Sequence, residues 1–457
     1  MVPSLYKVKP VPFHDVSRRQ PGHELAEWAF QRNPCMPNQP YPHSRSSQPV
    51  LRACAIAAAL LACASARAET AAGPTFNFRG FGTVGVVHSD YREADFVSSV
   101  FKGEGAGASR RWSYNVDSRL GAQADVKFDK KWSAVVQVGV EQRFDLSYRP
   151  MVEWANVKYQ ATPDLALRVG RIALPIFLAA DYRKVGYAYP WVRTPQEVYG
   201  GAPITNSDGV DLAYRWQHAG VKHVTQASYG QTDIHLTDTT RFKARGIAGI
   251  THTTEYGAAT VRVSFITAVL NVDIVRPLFD GFRQFGPPGI AIADNYDIVN
   301  KRFNIRAIGL NYDPGKWFFM AEGGTSNGHS FIAKARGMYA SAGYRAGELT
   351  PYLVYSRTDS RSPGTDPGLS TAGLPPAYAF VAAQLNANLD TLLKTRASQT
   401  SMAAGVRWDA RHDMALKLQY ERVEPRNGSR GSLTNLTPNF VSGRPVHVTS
   451  AVLDFVF

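Results

Sequence analysis

The sequence predicts an all-β fold: a transmembrane antiparallel β-barrel of about sixteen strands, with short turns at one end and long loops at the other. Three observations carry this. Apolar and polar residues alternate with period two through most of the chain after Phe76. Most alternating runs reach the ~9–11 residues that cross a bilayer at a tilt, where globular strands run only ~5–6. The connections between runs alternate regularly between short and long, the asymmetry of an outer-membrane barrel. A soluble sandwich shares the first property but has no reason for the third.

The barrel follows a leader. Residues 53–66 are the longest apolar run, short of the ~18 of a membrane helix and within the ~7–15 of a secretory signal. Arg45 and Arg52 precede it, and Ala66-Arg67-Ala68 supplies a small-x-small cleavage site ahead of Glu69. The expected division is leader and signal peptide over 1–68 and barrel over 69–457. Within the leader, 1–35 read as an over-extended start ahead of Met36. Leu60-Leu61-Ala62-Cys63 offers a rival lipoprotein site. Cys35, Cys54 and Cys63, the three cysteines of the chain, all precede the cut, so no disulfide framework is expected in the mature part. Removing the leader, with eight Lys+Arg and three Asp+Glu, lowers the net charge from +14 to +9. In a secreted channel that excess steers anions rather than nucleic acid.

Sixteen strands are predicted at 76–90, 112–128, 132–145, 151–161, 165–175, 209–217, 221–233, 246–256, 259–272, 302–312, 316–327, 336–345, 349–359, 398–408, 413–424 and 446–457. The clearest is the second. Val116, Leu120, Ala122, Ala124, Val126 and Phe128 fall on one face; Asn115, Asp117, Arg119, Gln123, Asp125 and Lys127 fall on the other. The eighth to tenth alternate least regularly. Connections after even strands are tight and rich in Gly, Pro and Asp (129–131, 162–164, 218–220, 313–315, 346–348 and 409–412). Those after odd strands include 91–111, 177–208, 273–301, 360–397 and 425–445. Phe128, Trp132, Tyr159, Trp216, Tyr312, Trp317, Tyr344 and Trp408 lie near the short turns, where amphipathic rings mark a membrane boundary.

Residues 176–208 stand apart. They mix Asp181, Arg183, Lys184, Arg193, Glu197 and Asp208 with Tyr182, Tyr187, Tyr189, Trp191 and Tyr199. A connection so long is usually functional or disordered, and its aromatic content argues against disorder. The segment is therefore expected to fold into the lumen and narrow it. Alternation turns Arg119, Lys127, Arg143, Arg168, Arg215, Arg262, Arg407 and Lys417 inward, together with Asp117, Asp125, Glu141, Asp211, Asp409 and Glu421. Facing lipid at mid-bilayer, each Lys or Arg would cost about 2–4 kcal/mol, so the interior must be wet. Arg168 is the leading wall residue, because its strand runs straight into the loop; Arg171 falls off the alternation, near the rim. Asp181 and Glu197 are the acids expected to face the channel, and Arg183, Lys184 and Arg193 the bases. Each has the alternative of bracing the loop.

No catalytic, cofactor or metal site is predicted. The chain lacks His-Glu-x-x-His, Gly-x-Ser-x-Gly and a cysteine pair in its mature part. The glycine-rich 103–107 lacks the Gly-Lys-Ser/Thr ending of a phosphate loop.

The final strand places Thr449, Ala451, Leu453, Phe455 and the terminal Phe457 on one face, with Ser450 and Asp454 on the other. With the signal peptide, the sixteen strands and the insertion after the fifth, this resembles Gram-negative outer-membrane porins of the trimeric general superfamily. The resemblance covers about 74–457 and is architectural. It implies an outer-membrane homotrimer in lipid, whose third long loop constricts a channel for passive diffusion of small hydrophilic solutes. It also implies recognition of Leu453, Phe455 and Phe457 by the outer-membrane assembly machinery. The sequence departs from the family in lacking an acidic-Gly loop-tip motif, and its second long loop, 146–150, is too short to latch a neighbouring subunit. The charge adds a mild anion preference. The alternatives are a substrate-specific channel for small anionic solutes and, further off, a barrel used as an adhesin or enzyme.

Overall fold

The computed structural model describes residues 73–457 apart from 201–203, 238–239, 333 and 362–363. The proposed signal peptide, Cys63 and the Ala68/Glu69 cut lie outside these residues.

Among the described residues, sixteen antiparallel strands form one closed sheet. They are β1 (Thr75–Ser89), β2 (in two parts, Trp112–Ser113 and Arg119–Lys127), β3 (Trp132–Glu141), β4 (Met151–Gln160), β5 (Leu165–Ala173), β6 (Asn206–His218), β7 (Val221–His235) and β8 (Arg241–Tyr256). The second half comprises β9 (Ala259–Val272), β10 (Lys301–Tyr312), β11 (Trp317–Gly328), β12 (Ala335–Tyr344), β13 (Leu349–Ser360), β14 (Gln399–Arg411), β15 (Met414–Pro425) and β16 (Val446–Val456). Each strand pairs with its neighbours in sequence, and β1 closes on β16 from Phe81↔Val456 to Ser89↔Val448. Closure removes the free sheet edge that hydrocarbon would not tolerate. At the seam, Phe455 and Phe457 stack with centroids 6.3 Å apart. Their rings fill the space that a Cβ on Gly82 or Gly80 of β1 would occupy.

The alternation sorts as predicted. Val84, Val136, Leu167, Val210, Ile250, Ile308, Leu353 and Leu418 are exposed on the outer wall, where lipid rather than water receives them. Phe128, Trp132, Trp216, Tyr312, Trp317, Tyr344 and Trp408 are exposed beside the short turns. Trp132 packs on Tyr159 at 4.6 Å and Tyr312 on Trp317 at 5.2 Å. The turns obey backbone rules. Ala219 (φ 48°) and Gly220 (φ 78°) form a two-residue hairpin loop with both residues left-handed, which matches the twist of β6 and β7.

Two expectations are corrected. The second strand is interrupted at residues 114–118, and Val116, expected on the outer face, is fully buried. Here the first long loop leans in and takes over the backbone: Lys102 Nζ donates to Asn115 O at 2.9 Å, and Ser98 Oγ donates to Val116 O. Val116 then packs with Val87, Tyr91, Phe96 and Leu433. The connections 273–301 and 360–397 are also more than loops. They carry α2 (Arg276–Arg283) and α3 (Gly286–Tyr296), and α4 (Pro376–Leu393); the short α1 (Gln196–Tyr199) lies in the inserted loop. Each of α2–α4 has proline in its first turn, where the missing N–H costs nothing. Leu278, Phe279, Phe282, Leu389 and Leu393 join one apolar cluster with Phe242, Ile247 and Ile266 of the wall, so the helices roof one side of the long-loop end.

Candidate functional site

The segment between β5 and β6 folds into the lumen, and its anchors span the far wall. Leu178 N donates to Glu322 Oε2 of β11 at 2.7 Å, and the Tyr199 and Tyr339 hydroxyls donate to Glu322 Oε1 at 2.5 and 2.7 Å. Arg262 of β9 reaches Phe177 O at 2.6 Å, and Trp191 Nε1 donates to Ser341 Oγ of β12 at 2.7 Å. Gly337 of β12 has no room for a side chain, because the Glu197 carbonyl lies where its Cβ would be.

The tightest anchor is Lys417 of β15, which is fully buried. Its ammonium donates to the carbonyls of Gly186 (2.7 Å), Tyr189 (2.7 Å) and Trp191 (2.9 Å) and lies 2.8 Å from Asp454 of β16. Three donors satisfy three loop carbonyls that water cannot reach, which is the condition for burying them. Thr83 donates to the same carboxylate at 2.5 Å. Nearby, Arg193 pairs bidentately with Asp117 (3.0 and 2.7 Å) and also meets Glu421 (2.8 Å) and Ser450 Oγ (2.6 Å). Arg407 donates to Tyr187 O and Tyr189 O at 2.6 and 3.2 Å while paired with Asp409 at 2.7 Å.

These contacts correct four expectations. Lys417 and Glu197 do not face an open channel, Arg407 is committed to loop carbonyls, and Arg193, although it borders the lumen, is held by wall carboxylates. Glu197 is buried and accepts from Ser356 at 2.8 Å, Gln399 at 2.6 Å and Ser401. One packing arrangement accounts for the wall pair and the loop pair. The loop lies flat on β11–β16, so the inward charges of those strands become its mounting.

Among the described residues, free lumen opens against β1–β7 in two cavities, one on either side of the loop tip. The one toward the long loops, of about 350 Å³, is lined by Lys102, Arg119, Arg143, Arg171, Arg183, Lys184 and Arg193 against Glu141, Glu153 and Asp233. The one toward the short turns, of about 690 Å³, is lined by Arg79, Lys127, Lys130, Lys131, Lys158 and Arg168 against Asp125, Asp129 and Asp181. Both carry roughly two basic side chains for each acid. Between them a belt joins loop to wall. Lys184 pairs with Glu141 of β3 and lies 3.9 Å from Glu153 of β4. Lys102 reaches Glu141 at 3.7 Å, and Arg119 donates to the Tyr189 hydroxyl at 3.4 Å. Burial pushes the Lys102 ammonium below its ordinary value, against the pull of Glu141. Burial acts likewise on Lys184, but Glu141 and Glu153 outweigh it and hold that ammonium above its ordinary value.

The remaining predicted residues divide. Arg168 is held by Asp211 of the adjacent strand, with Nε 2.9 Å from Oδ1, while its flank lines the inner cavity beside Asp181. Arg171 pairs bidentately with Asp208 at 2.7 Å on both arms and lines the outer cavity. Gly170 (φ 125°) between them has no space for a Cβ against the Ala155 carbonyl. Arg183 donates to Tyr199 O at 2.9 Å and lies over the Tyr199 ring. Arg143 lines the outer cavity and donates to His235 O at 3.0 Å. Arg215 is exposed at the short-turn end and lines neither cavity.

Sequence reasoning missed Lys102, Glu153 and Glu322. Glu322 carried a usable signal, an acid alternating with apolar Phe318 and Met320 on the inward face of its strand. Glu153 lies where β4 pairing with β3 jumps from Gln137↔Trp154 to Val138↔Val152, a bulge that re-aims the residue and that alternation does not foresee.

The model of the Gram-negative porin family matches residues 53–440. Among solved structures, OmpF of Salmonella typhi in complex with daunomycin is 13% identical at a TM-score of 0.50, over 85% of this chain and 99% of that one. The outer membrane channel DcaP of Acinetobacter baumannii is 12% identical at a TM-score of 0.49, over 86% and 100%. Outer-membrane expressed OmpT of Vibrio cholerae is 10% identical at 0.47, over 85% and 99%. At such identities the likeness to OmpF speaks for the fold alone. No curated protein sequence matches the chain significantly.

Proposed function

Because this chain belongs to the Gram-negative porin family, we propose that its barrel is a passive channel for small hydrophilic solutes with a mild preference for anions. It resides in the outer membrane, and both its family and its fold are those of a channel rather than an enzyme. The observation that carries the preference is the basic excess lining the lumen on both faces of the inserted loop. Rings of fixed charge in a narrow wet pore concentrate the opposite ion. The belt of Lys184, Glu141 and Arg119 makes a transverse field that orients a dipolar solute as it passes. Conductance of the purified protein in planar bilayers under a salt gradient tests this. We expect discrete steps and a reversal potential on the anion side; a cation-side potential refutes the preference, and the absence of steps refutes the channel.

The same reading includes cleavage after Ala68, assembly through Leu453, Phe455 and Phe457, and a homotrimer, for which the broad apolar outer wall offers a surface. N-terminal sequencing beginning at Glu69 and a native mass three times that of the mature chain are the corresponding results.

A further inference from the structure

We infer that the long-loop side of the lumen holds a binding site for a small organic anion with an apolar body, the chemistry of a monocarboxylate bearing one ring. This rests on the channel reading and deepens it, because it names what the vestibule retains. An apolar chamber of about 100 Å³ lies inside the barrel, walled among others by Ile204 of the inserted loop, Phe242 of β8, Ile266 and Leu270 of β9, and Phe303 of β10. Its wall is shaped by the backbone. The β8–β9 register shifts between Thr267 and Val269, opposite Gly246 (φ 56°). The shift turns both Ala244 and Ile247 into the chamber.

The same wall residues also seat the helices, but a fully packed core leaves few voids larger than a water. Apolar cavities on the order of 150 Å³ stay dry and accept a benzene-sized guest. The chamber adjoins the basic outer cavity. Phe101, which lines that cavity, meets Phe242 edge-on at 6.0 Å. Ile234, also lining it, is the ladder partner of Phe242. On the cavity side, Arg143 is fixed by its bond to His235 O and Lys184 by its bond to Glu141. An apolar recess beside a few fixed polar groups is the usual make-up of a small-molecule site. The Arg143 guanidinium, bonded to a neutral carbonyl, selects an anion, and the size selects a single ring or a short branched chain.

The probe is benzoate, with acetate and benzyl alcohol as controls, read as blockade of KCl current through the intact barrel. Benzoate should block saturably, at a concentration about tenfold or more below acetate, as burial of one apolar ring provides; benzyl alcohol should not block. Ala268→Phe, at the β9 position of the register shift in the chamber wall, fills the chamber and should erase the difference between benzoate and acetate while KCl conductance and heat-modifiable migration stay unchanged. Leu270→Ala, which enlarges the chamber, should shift the preference toward naphthoate and serves if the filled variant does not assemble. Equal blockade by benzoate and acetate, or by benzoate and benzyl alcohol, overturns the site. If the barrel shows no conductance, the channel reading fails by itself. Equilibrium dialysis of benzoate with the detergent-solubilised barrel then decides the site, with binding supporting it and none overturning it.

Discussion

Replacing Lys417 with methionine should release the inserted loop while leaving the barrel standing. The ammonium is fully buried and holds three loop carbonyls and the Asp454 carboxylate at once. Methionine keeps most of the stem but removes every donor. Asp454 keeps only its bond from Thr83. Breaking a buried pair on one side costs about 3–5 kcal/mol, which is roughly two to three and a half orders of magnitude in an equilibrium. The strand hydrogen bonds of β15 are backbone and survive, so the cost falls on the docked state of residues 186–191. Single-channel recording should show larger, noisier conductance steps, and hydrogen exchange should show lost protection across those residues. Adding Asp454→Asn removes the stranded charge and should restore a substantial part of the quiet state, a coupling that a double-mutant cycle measures. Wild-type conductance and wild-type exchange in Lys417→Met would refute the claim that this side chain hangs the loop.

Deleting residues 181–198 should raise conductance and relax selectivity without loss of heat-modifiable migration; unchanged conductance would place the loop outside the conduction path. Gly337→Leu should lift α1 from the wall, since its side chain would occupy the Glu197 carbonyl position, and increased protease cleavage near 197 is the readout. Lys130→Glu with Lys131→Glu, at the short-turn end of the inner cavity, should move the reversal potential toward cations. At the turn after β10, hydrogen bonding from Arg345 holds the Asp313 carboxyl below its ordinary range. A carboxyl depressed in the folded state stabilises above its unfolded pKa of about 3.9 and loses that contribution as pH falls through the folded value. The stability difference between wild type and Asp313→Asn should therefore be present at pH 7, at under about 1 kcal/mol for a partly exposed pair, and vanish near pH 2.

The barrel was legible because a membrane wall imposes period two on every strand, and loop asymmetry then orders the strands into hairpins. The address of the inserted loop followed from its length and aromatic content. Its resting place did not, because alternation says that Lys417, Asp117 and Glu421 point inward without saying whether they meet water or another segment. For Arg193 and Glu197 residue type left two readings open, and both brace the loop: a charge in a lumen loop looks the same whether it faces the passage or the wall. The helices of the 273–301 and 360–397 connections escaped because proline and glycine at their starts read as loop chemistry, while their apolar faces complete a cluster drawn from strands far away in sequence. Glu153 needed a bulge, and Val116 needed the first loop to take over its strand; both are tertiary events.

The contacts that hang the inserted loop also set an order of events. Lys417 reaches Gly186 across 231 positions of sequence, and Arg193 reaches Ser450 across 257. The hooks belong to β15 and β16, among the last strands to be made, and β16 is the strand that closes on β1. A barrel still open at that seam cannot bring Asp117 of β2 and Glu421 of β15 onto Arg193 together, so its plug hangs from fewer points. Narrowing is therefore completed by closure, and an unfinished copy would betray itself as a wider, noisier passage.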